Sequence, residues 1–419
     1  MRIPGTAFLA AIMVASACST ETGGPGNTAA SDDSIAASAD ECTPLETREA
    51  NAPNQQPAFE GQTRACEDTT NVDFDVVVVA TGLAHPWAVE PLPGGDLLVT
   101  EKPGRMRIVS ASGQIGEAIE GVPAVDARGQ GGLLDVALSP SFDDDQTVFW
   151  SYSEPRQGGN ATSVARGVLS SDRRRLEQVQ VILRAMPTYD GTNHFGSRLV
   201  FAPDGKLFVA LGDRSDAAMR PQAQQLDSHM GKILRINPDG TVPSDNPFAG
   251  QGTARAEIWS LGHRNVQAAA LDEQGQLWVV EHGTRGGDEL NLIEEGKNYG
   301  WPLQAYGVEY SGNAISGATT QRSGMEQPVY YWDPVIAPSG AQFYTGSAFP
   351  EWRGSLFIGA LRDQRLVRLT LENGRVTGEE HLLTERGQRV RDVRQGPDGA
   401  LYVVTDQSNG ELWRITPAG

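Results

Sequence analysis

Basic residues, cysteine and histidine are all scarce in this chain. Only 34 Lys and Arg stand against 53 Asp and Glu, a formal net charge of −19 over 419 residues. So acidic a surface repels phosphate backbones, which argues against nucleic acid as a partner. Three cysteines and six histidines leave no zinc-type spacing, and there is no Walker loop and no dinucleotide fingerprint after a first strand. No apolar run reaches the ~20 residues that a membrane-spanning helix needs. Strong helical periodicity is scarce as well, which leaves strands and turns to build the core.

The N-terminus does carry a short apolar run, residues 7–17, behind Arg2, and it ends in "VASAC". That pattern reads as an export signal over residues 1–17. Ala15-Ser16-Ala17 suits ordinary cleavage. Before Cys18 the same residues resemble a bacterial lipoprotein box, with Ala15 where leucine is commoner. The expectation is a periplasmic protein lipid-anchored at Cys18 to the outer membrane; plain secretion is the alternative. Residues 18–70 are rich in Ser, Thr, Ala, Gly, Asn, Asp and Pro and read as a disordered tether. With Cys18 lipidated, Cys42 and Cys66 remain as an even pair in an oxidising compartment, and a disulfide between them is expected over two exposed thiols.

Glycine, at 48 residues, is what the chain has in quantity, and it recurs in a pattern. "PGGDLLVTEKPGRMRIV" begins at Pro93, "DDQTVFWSYSE" at Asp144, "PDGKLFVALGD" at Pro203, "EQGQLWVVEHG" at Glu273, "WRGSLFIGALRDQRLVRL" at Trp352 and "PDGALYVVTDQ" at Pro397. Each is a polar turn, an aliphatic or aromatic strand, then a small or charged residue. Six such units predict an all-β, six-bladed β-propeller over residues 71–419, its blades stacked around a channel. A pair of β-sandwiches is the alternative. The strand "FDVVVVATGL" and the last one, "ELWRITP", are placed to share a blade and close the ring.

In a propeller the loops and strand starts at one channel mouth carry the site. His194, in "NHFG", enters the third unit there, and Asp213 ends that unit's strand. "SLGHRNVQ" brings Arg264 and Asn265, "EHGTRGGDELN" and "NYGWP" follow the fourth unit, "GALRDQ" brings Arg362, and "RGQRVRDVRQGPDG" brings Arg389, Arg391 and Arg394. Each alone has an ordinary explanation: a solvated loop histidine, a turn-capping aspartate, a solvated arginine face. Together, in an acidic chain, converging arginines point to a ligand with several carboxylates or phosphates. The carbonyl-rich, acidic loop points to a hard cation such as calcium.

"GQGGLLD", "NHFGSRLVF", "AEIWSLGHRN", "EHGTRGGDELN", "KNYGWP", "LFIGAL" and "RGQRVRDVRQGPDG" resemble, in order and with similar gaps, the soluble PQQ-dependent aldose sugar dehydrogenases. The resemblance runs from about Leu83 to Leu412. It implies a six-bladed propeller that holds pyrroloquinoline quinone (PQQ) and Ca2+ and oxidises aldoses at the anomeric carbon to lactones. Hydride passes to the quinone, and electrons pass on to an external acceptor: a quinone, a dye or a small redox protein. His194 would be the general base, Asp213 the acid that orients it, and Arg264 and Asn265 quinone contacts. Gln130 would lie near cofactor and substrate. Arg389 and Arg391 would bind cofactor carboxylates, and Arg362 falls where relatives often have lysine. Trp332 and Ala337 would be cofactor neighbours in a segment that matches less well. Carbonyls of Gly283 and Thr284 would hold a catalytic calcium, although relatives usually have Pro where Thr284 stands. Glu289 and the Tyr299 carbonyl would hold a structural calcium. The loop over residues 306–325 is expected to border the substrate, and a monomer or weak dimer is expected. A calcium-dependent lactonase, which would not need the arginine cluster, and a non-catalytic binding propeller are the competing readings.

Overall fold

The computed structural model describes residues 42–419. The expected export signal and the lipid anchor at Cys18 lie outside the described residues. Among those described, no helix is long and apolar enough to cross a membrane.

Six antiparallel sheets follow one another along the chain. Blade one runs Pro86–Pro91, Leu97–Glu101, Arg105–Val109 and Ile115–Ala118, from the channel outward. Blades two, three, four and five start with the inner strands Leu133–Leu138, Gly196–Phe201, Val266–Leu271 and Pro338–Phe343. Blade six is built from Val390–Gln395, Leu401–Thr405 and Gly410–Pro417, and its outermost strand is Phe74–Leu83, paired antiparallel from Phe74↔Pro417 to Leu83↔Gly410. The ring therefore closes by strand exchange between the two ends of the propeller, as the sequence implies. Each inner strand packs against the next, the sixth against the first.

The second strands explain why the repeat was readable. Leu97–Glu101, Leu207–Leu211, Leu277–Glu281, Leu356–Ala360 and Leu401–Thr405 are buried at every position. Each sits between neighbouring blades and has no solvent face, so it reads as an unbroken apolar run. The turns ahead of three of them share a glycine at nearly one conformation, with φ of 77° at Gly205 and Gly275 and 76° at Gly399, a region that side chains with a Cβ avoid.

The tether is corrected by the structure over residues 42–70, which are ordered against blades four and five. Cys42 and Cys66 form the expected disulfide. Cys66–Glu67 adds a parallel strand to the outer edge of blade five. Asp333 accepts hydrogen bonds from the backbone N–H of Asn51 (2.7 Å) and Ala52 (2.9 Å), and Arg64 donates to the carbonyls of Glu46, Arg48 and Asp333. The segment lacks hydrophobic periodicity because polar and backbone bonds hold it; composition alone reads such a segment as a linker.

Candidate active site

One channel mouth is built from the starts of the inner strands and the residues just past the second strands. His194 precedes the inner strand of blade three; Asp213 follows its second strand. Gly212 lets them meet, because a Cβ there would lie 2.2 Å from the His194 carbonyl oxygen. His194 Nδ1 lies 2.6 Å from Asp213 Oδ1. Asp213 is fully buried and also accepts from Trp301 Nε1 (2.7 Å) and the Ser215 N–H (2.7 Å). Burial alone would raise its pKa, but His194 and Arg264 hold it below the ordinary carboxylate value. An ionised Asp213 can only accept, so Nδ1 carries the imidazole proton and Nε2 keeps its lone pair. Burial, and then the charge of Arg264, push the His194 pKa below its usual 6.5 despite Asp213. The result is a neutral, oriented base.

Arg264 completes this half of the site. Its backbone N–H donates to Glu281 Oε2 at 2.6 Å, its side chain donates to the His282 carbonyl at 3.0 Å, and its guanidinium lies 5.2 Å from the Trp301 ring centre. Its Nε is buried without a hydrogen-bond partner. Asn265, also buried, accepts from Gly196 N–H at 3.3 Å and so ties the inner strands of blades three and four together.

Beside this group opens a cavity of about 350 Å³ lined by Trp87, Lys102, Gln130, Phe195, His282, Ala337, Arg389, Arg391 and Asp406, among others. His194 stands at its edge, next to Phe195, with its backbone N–H donated to Gln130 Oε1 at 2.8 Å. Arg389 and Arg391 each donate to Asp406 Oδ2 at 2.8 Å. Three cations, Lys102, Arg389 and Arg391, thus face one carboxylate, and Arg391 Nε is buried without a partner. Burial lowers the Lys102 pKa and the Arg391 pKa, the cost of keeping uncompensated cations under cover. Burial also pushes His282 down to about 3, so it is neutral and donates through Nε2 to the Pro338 carbonyl at 2.6 Å.

The oxygen-rich loop after blade four's second strand adjoins both halves. Asp288 accepts from the N–H groups of Gly283, Ile336 and Ala337, each at 2.8 Å, so one carboxylate fixes this loop and the Ala337 turn. Burial lifts that carboxyl to about 7. Thr284 Oγ1 is buried without a partner. Glu281 and Glu289 face each other across the sheet. Burial and the Glu281 charge push Glu289 well above the usual carboxyl value, and Asn291 Oδ1 on the same strand also lacks a partner. Tyr299 stacks on His263 at 4.9 Å, and His263 hydrogen-bonds to Glu281 at 2.9 Å. Among the described residues no three His, Cys, Asp or Glu side chains converge as a metal site. Carbonyl oxygens would have to complete any cation shell here.

Two of the sequence-derived residues fall outside this assembly. Trp332 belongs to the outer strand of blade four, where it packs edge-on to Tyr330 and donates to Glu379, inside the apolar core between blades four and five. The segment that carries it matches the family motifs less well, and the alternation of its strand turns the ring into the core. Arg362 is exposed just beyond Leu361, which does line the cavity. The residues not singled out in the sequence are Trp87, Lys102, His282, Asp406 and Trp301. Lys102, His282 and Asp406 come directly after a blade's second strand, and Asp213 comes one residue further on. Superposing the repeats and reading that one position would have found Lys102, His282 and Asp406.

Comparison with known proteins identifies the family and the fold. The family model described as glucose / sorbosone dehydrogenase matches residues 83–414. The chain is 45% identical over 357 residues to the aldose sugar dehydrogenase YliI of Escherichia coli, covering 84% of this chain and 94% of that one. A crystal structure of a glucose dehydrogenase superposes with a TM-score of 0.80 at 47% identity, over 82% of this chain and all of that one. The PQQ-bound aldose sugar dehydrogenase of Streptomyces coelicolor superposes with a TM-score of 0.67 at 31% identity, over 83% and 100%.

Proposed function

Since this chain belongs to the glucose / sorbosone dehydrogenase family, we propose that it is a PQQ- and calcium-dependent dehydrogenase that oxidises aldoses at the anomeric carbon to lactones, its electrons leaving to an external acceptor. The observation that carries this reading is the pairing of a neutral, aspartate-oriented His194 with an adjoining cavity whose cations outnumber its carboxylates.

The residues fit the quinone. A compact aromatic tricarboxylate matches a cavity of about 350 Å³ with surplus positive charge, the partnerless Arg391 Nε and the rings of Trp87 and Phe195. Arg389, Arg391 and Lys102 would take its carboxylates, with Asp406 keeping the two arginines aligned. PQQ supplies, when bound, a two-electron centre that accepts hydride. The donors also fit calcium, which takes oxygen ligands. Gly283 and Thr284 carbonyls would serve next to the cavity, and Glu289 with the Tyr299 carbonyl would serve beside Glu281.

The protein's own part is proton handling and orientation. His194 Nε2 takes the proton of the anomeric hydroxyl as the adjoining C–H bond is broken. The imidazolium so formed is stabilised by Asp213 at 2.6 Å. Arg264, buried and rigid between Trp301 and the His282 carbonyl, lends positive charge to an oxygen beside the base. Trp301 holds Asp213 from the other side, so the base cannot turn away.

The test is reconstitution. The purified chain with PQQ and calcium is assayed for dye reduction with aldoses and, in parallel, for lactone hydrolysis with calcium alone. Aldose-dependent dye reduction that needs both additions is the expected result. Hydrolysis without PQQ would replace this reading with the lactonase.

A further inference from the structure

One large aromatic side chain near the site has no packing role. Tyr310 is 68% exposed, far from the usual state of a tyrosine on an ordered loop, yet its hydroxyl accepts a hydrogen bond from Arg264 Nη2 at 3.3 Å. The loop that bears it is firmly built. Val308 pairs with Arg285 and with Ala314, and Gly312 N–H closes the tip onto the Glu309 carbonyl at 2.7 Å. Tyr306, at its base, stacks on Tyr331 at 4.1 Å. Gln55, from the disulfide-closed N-terminal segment, donates to the Gly307 carbonyl at 2.9 Å. Glu309, the preceding residue, pairs with Arg220, whose guanidinium lies 5.5 Å from the ring centre of Trp301. Both tip residues thus lock onto the groups that organise His194: Tyr310 onto Arg264, Glu309 through Arg220 onto Trp301.

A rigid hairpin that holds a phenol ring in water beside a buried base and a buried arginine spends apolar surface without burying it. That is the mark of a surface completed by a ligand. On the reading that the site oxidises aldoses, we infer that Tyr310 is a specificity-determining residue whose ring stacks against the C–H face of an aldopyranose. It would favour sugars whose hydroxyls are equatorial and whose ring therefore offers an unbroken C–H face, and disfavour those with an axial hydroxyl on that face. The ring reads the substrate; the 3.3 Å contact with Arg264, which Glu281 and the His282 carbonyl already hold, serves only to steady that ring.

Two variants of the PQQ- and calcium-loaded enzyme separate these parts. Tyr310→Ala should raise KM for an all-equatorial aldopyranose on the order of tenfold, the scale of one well-made apolar contact. It should leave kcat within a factor of about two and flatten the preference over a sugar with one axial hydroxyl. Tyr310→Phe, which keeps the ring, should retain the wild-type KM and the wild-type preference. Calorimetric titration of the same sugars into loaded His194→Ala protein, where turnover is blocked, should show the same loss of affinity on adding Tyr310→Ala. An unchanged KM in Tyr310→Ala, or equal losses of kcat in both variants, would overturn the inference while leaving the dehydrogenase reading intact. A wild-type protein that oxidises no aldose would overturn both.

Discussion

At the scale of single residues, the site works by leaving a few groups uncompensated. His194 is buried beside a cation, which lowers its pKa, and tied to a carboxylate, which restrains that fall; the net direction is down. The acid limb of kcat/KM should therefore lie below pH 6.5, because activity is lost only as Nε2 becomes protonated. Asp213→Asn should move that limb lower still, since the charge that favours imidazolium is gone, and should reduce kcat because the tautomer is no longer enforced. A limb above 6.5, or one indifferent to Asp213→Asn, would contradict the assignment. His194→Ala should cut turnover by about 10²–10⁴ while PQQ still binds, as a fluorescence titration of the quinone would report. Arg391→Ala should do the reverse. It removes a charge-assisted contact worth roughly 1.5–3 kcal/mol, so the quinone titration should weaken while turnover at saturating quinone stays closer to wild type. His194 and Asp213 were legible in the sequence because loop residues next to strong strands stand out. Lys102 and His282 were not, because each follows an apolar run and reads as that strand's polar end.

Whole elements explain which parts of the fold could be read. Strands with no solvent face announce themselves as apolar runs, and glycine turns punctuate the repeat; five blades carry the first signal, while the second strand of blade two, Thr147–Arg156, and the closing strand Phe74–Leu83 have exposed positions and are read from their β-branched and aromatic residues. The N-terminal segment was misjudged because its attachment is written in hydrogen bonds. Gln62 is wholly buried and donates to the Pro328 carbonyl at 2.9 Å, and Arg48 pairs with Asp363 at 2.6 Å, yet no apolar period marks either. Trp332 lies in a segment that matches the family motifs less well, and strand alternation sends its ring into the core. The segment's disulfide closes a separation of 24 residues. By the chain-entropy argument, opening such a loop costs about 3 kcal/mol. The double variant Cys42→Ser/Cys66→Ser should thus melt earlier and, because Gln55 and Gln62 brace the 306–325 loop, should lose protection from amide hydrogen exchange there first. Uniform loss of protection over all six blades would show that the segment acts on global stability alone.

For the molecule as a whole, the channel is divided. Beyond the mouth that carries the site, Arg198 bridges Asp135 (2.8 Å) and Asp392 (3.0 Å), and Arg394 lies between Asp392 (3.4 Å) and Glu90 (3.4 Å). Three carboxylates meet two guanidiniums, so one negative charge is in excess. Burial first, and then Asp135 and Asp392, lift Glu90 to about 7 against the efforts of Arg394. A carboxyl with that folded value and an unfolded value near 4.5 binds more protons when folded. It therefore costs stability increasingly as pH rises from 4.5 through 7. Glu90→Gln should raise Tm at pH 8 by about 2 °C, modest because Glu90 keeps some solvent contact, and should leave it nearly unchanged at pH 4.5. An equal effect at both pH values would mean that Glu90 ionises normally. The ion network lies between the mouth that carries the site and a second cavity of about 300 Å³ lined by Glu90, Phe201 and Arg394, among others. On the proposed function, substrate, quinone and base share the same few ångströms at the first mouth, and that sharing is the central claim. Its most direct test is an anaerobic absorption spectrum of the protein loaded with PQQ and calcium, recorded before and after one equivalent of aldose. Wild type should convert the oxidised quinone band fully to the reduced one. His194→Ala, equally loaded, should do so orders of magnitude more slowly. A wild-type spectrum that aldose leaves unchanged, or a His194→Ala protein that reduces as fast as wild type, would contradict the account.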